Sequence, residues 1–194
     1  MKRRSAPVVA SLLLALAALA CNLPVGGPPR PGPAIPVSEE AAQRAEQKVA
    51  AALEAASQTR SFTVTLTQEE VTSWVALRAE TYALQAGERV PLDNLQIYLD
   101  DNVVRLYSDY NDSGVSAGAL VTVTPRVTPA GLVEAEVTAA QVGPVALSAA
   151  DLEALNQAIH DNLSAAMARL EGRYQITGLS VDDGLITVSG QVLF

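Results

Sequence analysis

From position 38 onward the apolar residues fall into two rhythms, one helical and one alternating. Ala41, Ala45, Val49, Ala52, Leu53 and Ala56 share one side at helical spacing, which predicts a helix from Ser38 to about Ser57 with a small, smooth face. Ser38 stands as its N-cap, and Glu39 and Glu40 suit its positive end. In Ser61 to Leu66 the rhythm changes: Phe62, Val64 and Leu66 alternate with Ser61, Thr63 and Thr65, as in a strand with one apolar face. Thr67 and Glu70 then form a capping box, and Val71, Trp74, Val75, Arg78 and Tyr82 line one side of a helix that stops near Gln85 to Gly87.

A run of strands follows. Leu95 to Leu99 and Val103 to Tyr110 flank the turn residues Asp100-Asp101-Asn102. Val115 to Val127 is a long strand interrupted at Pro125, and Leu132 to Val142 returns until Gly143-Pro144 breaks it. Ser148 and Asp151 cap another helix, with Leu152, Leu155, Ile159, Leu163, Met167 and Leu170 as its apolar stripe and Gly172 at its end. Tyr174 to Val181 and Leu185 to Phe194 close the chain as a hairpin about Asp182-Asp183-Gly184. Short loops join these strands, so the sheet is antiparallel. The pattern predicts an α+β fold: one domain over 38–194, with amphipathic helices on one face of a curved antiparallel sheet.

The first 37 residues read differently. Lys2, Arg3 and Arg4 precede an apolar run from Val8 to Ala20, which at about 13 residues is too short to span a bilayer. It ends in Ala18-Leu19-Ala20-Cys21, which resembles a bacterial lipobox with Ala18 where Leu is commoner. Residues 1–20 are thus expected to be a lipoprotein signal peptide, and Cys21 to be diacylated and N-acylated with chains such as palmitate. Cys21 is the only cysteine, so it has no disulfide partner, and two or three acyl chains anchor stably where one does not. Residues 21–37 carry repeated proline and glycine and predict an extended tether, able to hold the domain up to roughly 50 Å from the lipid. The expected location is the outer face of the cell membrane or envelope.

Charge narrows the partners. Removing Lys2, Arg3 and Arg4 leaves ten basic against 21 acidic residues, a mature net charge of −11, with Lys48 the sole lysine. Such a surface repels nucleic acid and offers no polybasic patch to anionic lipid, so any lipid handling must use apolar surface.

Catalytic constellations are not evident. The one histidine, His160, adjoins Asp161, but neighbours on a helix point about 100° apart and do not pair, so it reads as a solvated surface residue. No nucleophile elbow or phosphate loop occurs, and neither a metal site nor a cofactor is expected. Asp109-Tyr110-Asn111-Asp112-Ser113-Gly114 opens like a calcium loop. Its twelfth position, however, is Leu120 instead of a bidentate glutamate, and a hairpin turn explains it better.

The order of elements resembles a known group. LTQEEVTSWV follows the first strand, VGPVALS precedes the last helix, and ITGLSVDDGLITVSG closes the chain. Over residues 58–194 this looks like the LmeA-like and YpmS-like bacterial envelope families, related to the tubular lipid-binding (TULIP) superfold. The resemblance implies a half-TULIP-like domain with an elongated apolar groove that binds phospholipid or another acylated ligand. It implies a lining of Val71, Trp74 and Val75 from the first motif and Leu155, Ile159 and Leu163 from the later helix, and no catalytic residue. The expected function is therefore a non-enzymatic, membrane-anchored lipid-binding lipoprotein. The alternative is a structural or interaction lipoprotein with a filled core and a protein partner, for which the Ala41 to Ala56 face offers a docking surface.

Overall fold

A computed structural model describes residues 26–86, 92–112, 115–168 and 172–193. Cys21 and the expected signal peptide lie outside these residues, as do Leu170 and the side chains of Tyr82 and Met167.

The chain is α+β, with both sheets antiparallel. Helix α1 (Glu39–Thr59) begins where Ser38 accepts a hydrogen bond from the Ala41 N–H at 3.1 Å. It ends at Arg60, in a left-handed conformation, whose N–H donates to the Ala56 carbonyl at 2.8 Å. Strand β1 (Ser61–Thr67) leads directly into α2 (Gln68–Ala86). The capping box between them is reciprocal: the Thr67 N–H donates to Glu70 Oε2 at 2.9 Å, and the Glu70 N–H to Thr67 Oγ1 at 3.2 Å. Strands β2 (Leu92–Asp100), β3 (Val103–Asp112), β4 (Val115–Val127), β5 (Val133–Val142) and the two-residue β6 (Val145–Ala146) follow. Helix α3 (Ala149–Ala168) and the hairpin β7 (Tyr174–Asp182) and β8 (Leu185–Val192) complete the fold.

The strands divide into two sheets where a single curved one was expected. One has the order β2-β3-β4-β5-β6, the other β1-β8-β7. The split arises because β1 finds its partner at the far end of the chain, with Val64 opposite Val188. Backbone bonds still stitch the sheets together: the Asn102 N–H donates to the Val181 carbonyl and the Gly184 N–H to the Leu99 carbonyl. The predicted interruption at Pro125 is absent, since β4 runs through it. Pairing of β3 with β4 is already over at Val123, so Pro125 needs a ladder partner only on the β5 side, an edge position that proline tolerates. The calcium-like stretch lies in the β3–β4 hairpin, as expected, with Asp112 opposite Val115.

Each face of the larger sheet is covered differently. On one face Ile97, Leu99, Val104, Leu106, Val121 and Val123 meet α2, α3 and the smaller sheet. Polar side chains of α2 satisfy the free edge of β2: Thr72 Oγ1 donates to the Ile97 carbonyl at 3.2 Å and accepts from its N–H at 3.1 Å, and Gln68 Oε1 accepts from the Leu99 N–H at 3.0 Å. Thr72 is accordingly buried, and the edge is closed to other strands. Helix α1 lies against α2 and β1, with Ala41, Ala45 and Ala56 fully buried. The small face expected to lie close against another element does so within the chain.

The opposite face carries residues 26–37, which sequence composition assigned wholly to a free tether. Ile35 is buried against Tyr98, Tyr107 and Leu120. Its N–H donates to Gln96 Oε1 at 2.5 Å, and its carbonyl accepts from Gln96 Nε2 at 3.1 Å. The Tyr98 hydroxyl donates to the Pro33 carbonyl at 2.9 Å, and the Arg30 guanidinium stands 5.3 Å from the centre of the Tyr107 ring. At the start of this strap the Gly118 N–H donates to the Gly26 carbonyl at 3.1 Å. A Cβ on Gly27 would sit 2.7 Å from the Gly118 carbonyl oxygen, so only glycine permits that approach. Proline-rich chain makes no hydrogen bonds with itself, which leaves its carbonyls free for these side chains.

Candidate functional site

The six predicted lining residues do not form one wall. Val71 packs in two clusters, one with Ala45, Val64 and Leu66 and one with Ile97, Leu99 and Val181. Trp74 belongs to the first of these and is turned toward α1, where its Nε1 is buried with no hydrogen-bond partner. Val75 joins the second. Leu155 and Ile159 pack on a third cluster, Val123, Val137 and Ala140. Leu163 lines a polar recess beside His160.

What links the two helices is the sheet floor. Val104 and Leu106 pack against both the Ile97–Leu99–Val181 cluster under α2 and the Val123–Val137–Ala140 cluster under α3. Val121 extends this floor toward α3. All three floor residues are half-buried, and so are Leu152, Leu155, Ile159 and Leu163 on α3. The apolar stripe of α3 thus lies against the sheet without being sealed by it. Helix α3 is held instead by a polar clamp: Asn156 Oδ1 accepts from the Val137 N–H at 2.7 Å, and its Nδ2 donates to the Val137 carbonyl at 3.1 Å. The two-residue β6 pairs only with Gln141 and Val142, so the outer edge of β5 is open at Val137 and the amide stands in for the missing strand.

Sequence reading missed this clamp, although Asn156 follows Leu152 by four residues and precedes Ile159 by three, on the apolar stripe itself. Gln96 and Thr72 do equivalent work at Ile35 and Ile97. In each case the signal was a polar side chain at a position whose neighbours face inward.

Two recesses open on the described surface. One, of about 210 Å³, lies between α3 and the β4–β5 strands and is lined by Arg126, Glu134, Glu136, Asn156, His160 and Leu163, among others. Arg126 pairs there with Glu134 at 2.9 Å and Glu136 at 3.6 Å. His160 is exposed, as the helix pattern predicted, and Asp161 accepts from Gln157 Nε2 at 2.8 Å. The other, of about 250 Å³, lies between α1 and α2 beside Trp74, Glu46 and Arg78. Both fall below the roughly 300 Å³ at which small-molecule pockets usually begin, and neither is an apolar channel.

Among the described residues Glu70 is the buried charge. Burial pushes its carboxyl up, but the Lys48 ammonium at 2.7 Å and the hydrogen bonds with Thr67 outweigh burial and hold it below its ordinary range. Its partners cap α2 at Thr67 and join α2 to α1 at Lys48 and Arg44. Among the described residues no cluster of three or more His, Cys, Asp or Glu could hold a metal ion, and no helix is long and apolar enough to cross a membrane. No protein-family model matches the chain, and no curated protein or solved structure matches it.

Proposed function

We propose that the chain is a membrane-anchored lipoprotein that holds a phospholipid or another acylated ligand, without catalysis, along the apolar shelf between α2 and α3. The observation that supports this reading is the half-buried floor Val104, Leu106 and Val121, shared between two clusters and flanked by an α3 stripe none of whose described members is fully buried. A helix whose only task is to close a core buries its leucines. Here unburied apolar area remains on both sides of the shelf. At about 0.8 kcal/mol per buried CH₂, eight to ten methylenes laid there would contribute roughly 6–8 kcal/mol before ordering costs. The resemblance to TULIP-related envelope proteins, carried by LTQEEVTSWV, VGPVALS and ITGLSVDDGLITVSG, points the same way.

The test is native mass spectrometry of the protein extracted from membranes in mild detergent. Bound lipid is expected on the wild type. Ile159→Asp, half-buried where α3 meets the shelf floor, should keep its circular dichroism spectrum and lower fluorescent fatty-acid uptake at least about tenfold. A folded wild-type protein that emerges free of lipid and takes up no fatty acid would end this reading. The interaction-protein alternative loses its sequence argument, because the Ala41 to Ala56 face is already occupied by α2 and β1.

A further inference from the structure

We propose that the strap, residues 26–37, is a reversible latch that sets how far the domain stands from its membrane, closed on neutral lipid and released by anionic lipid. This rests on the reading of Cys21 as an acylated residue. The first argument is reach. With the strap docked, the chain is fixed to the sheet from Gly26 onward, where the Gly26 carbonyl accepts from the Gly118 N–H at 3.1 Å. Only residues 22–25 separate Cys21 from Gly26, a span of about 18 Å at full extension. With the strap free, the first fixed point is Ser38, whose N–H donates to Ser73 Oγ at 3.2 Å and whose side chain caps α1. Residues 21–37 then reach roughly 50 Å.

The second argument is how lightly the strap is held. Of its twelve residues only Pro28 and Ile35 are buried, Gly32 is half-buried and the other nine are exposed. Its polar contacts come from the side chains of Gln96, Tyr98 and Ser73 and from the Gly118 backbone. It joins neither sheet as a strand. Release therefore uncovers two apolar side chains and the rings beneath them, and leaves every strand pairing intact. Proline-rich chain stays extended when free, so redocking orders little and the exchange runs both ways.

The third argument is charge. Asp93, Asp109 and Gly118 are cross-strand partners in one row, so two carboxylates stand beside the strap's first bond. Their hydrogen bonds come from neutral groups, the Asn111 and Asn94 amides at 2.7 Å and the Tyr107 hydroxyl at 3.4 Å. A docked strap holds these charges within about 18 Å of the lipid, whose anionic surface potential decays over roughly 8–10 Å. A released domain moves clear of it. Turning the docked domain over gives no relief, because the β2–β3 and β7–β8 turns at the far end bring together Asp100, Asp101, Asp182 and Asp183, all exposed. Arg30 is the strap's only charged residue. Docked, it stands over the Tyr107 ring, and free, it comes within reach of lipid phosphate beside the anchor. Repulsion of the domain and attraction of Arg30 favour the same released state on anionic lipid.

The experiment uses the full mature lipoprotein carrying Val145→Cys, labelled with a fluorescent donor, on vesicles with an acceptor on the lipid headgroup. Val145 is 65 % exposed, and its turn adjoins Gly118 through the Gly143 N–H. Intact mass confirms acylation, which also shields Cys21 from the label. On phosphatidylcholine, energy transfer is expected to be strong in the wild type. It should fall at least about twofold in Gly27→Val, whose side chain would collide with the Gly118 backbone, and in Ile35→Asp, both with the wild-type circular dichroism spectrum. On vesicles rich in phosphatidylglycerol the wild type should drop to the level of these variants, and recover in about 1 M salt, where screening acts over roughly 3 Å. Wild-type transfer that is equal on the two lipids, or equal to that of the folded variants on phosphatidylcholine, overturns the latch while the anchor reading stands. An unmodified Cys21 by mass ends the anchor reading, and the latch with it.

Discussion

Glu70 shows how a residue legible as local chemistry acquires a tertiary role. The spacing from Thr67 announces the capping box, and both of its hydrogen bonds form. Nothing local announces that Lys48, one helix earlier, would approach the same carboxylate at 2.7 Å, or that Arg44 Nε would stand 3.7 Å away. Because the folded-state pKa is lowered, the stability Glu70 contributes is present above its ordinary value of 4.5 and is lost as pH falls through the folded value. Glu70→Ala is expected to cost roughly 1–3 kcal/mol near neutral pH, with a smaller gap from the wild type in acid. Urea denaturation on both sides of the ordinary carboxylate range measures this, and a gap that does not narrow in acid would contradict the assignment. Trp74 is the converse case. Its place on an apolar helix face was legible, but which neighbour it would meet was not, because α1 and β1 claim it before any ligand could.

At the scale of elements, hydrophobic rhythm located the three helices and every strand except β6 among the described residues, β6 having only two residues, too few to show alternation. The division into two sheets was hidden, because helices intervene where the sheets part, α2 between β1 and β2 and α3 between β6 and β7, and a helix does not reveal whether the strands it connects share a sheet. The strap was hidden for a different reason. Proline-rich chain has the same composition docked or free, and the side chain that receives it, Gln96, lies 61 residues away. Gln96 is the residue to test. Gln96→Ala removes both bonds to Ile35, at a cost of about 1–2 kcal/mol, so hydrogen exchange at the Ile35 amide should accelerate roughly 5- to 30-fold while α2 amides such as that of Ser73 stay protected. Equal acceleration at both places would mean that the strap unfolds only with the whole domain. The shelf itself was partly legible. The apolar stripes of α2 and α3 were visible, but the half-buried floor of Val104, Leu106 and Val121 depends on how far apart the helices settle, which no local pattern encodes.

The whole molecule is layered, with the strap on one face of the larger sheet and the helices and smaller sheet on the other. Its strap is attached in series between the N-terminal segment and the sheet, and that has a mechanical consequence. A load applied at the N-terminus reaches the Gly26–Gly118 bond first and then peels the strap away residue by residue, Tyr98 and Gln96 releasing in turn. The β1–β8 and β3–β4 ladders carry the same load but, with many backbone pairs sharing it, give way only at higher force. Pulled between its two ends, the protein should yield first at low force, by about 40 Å of contour for residues 26–37, and only later in the main rupture. A force trace with a single rupture would show that strap and sheet share the load. Otherwise the chain carries a built-in shock absorber, one that lengthens under strain and winds back when the strain is gone.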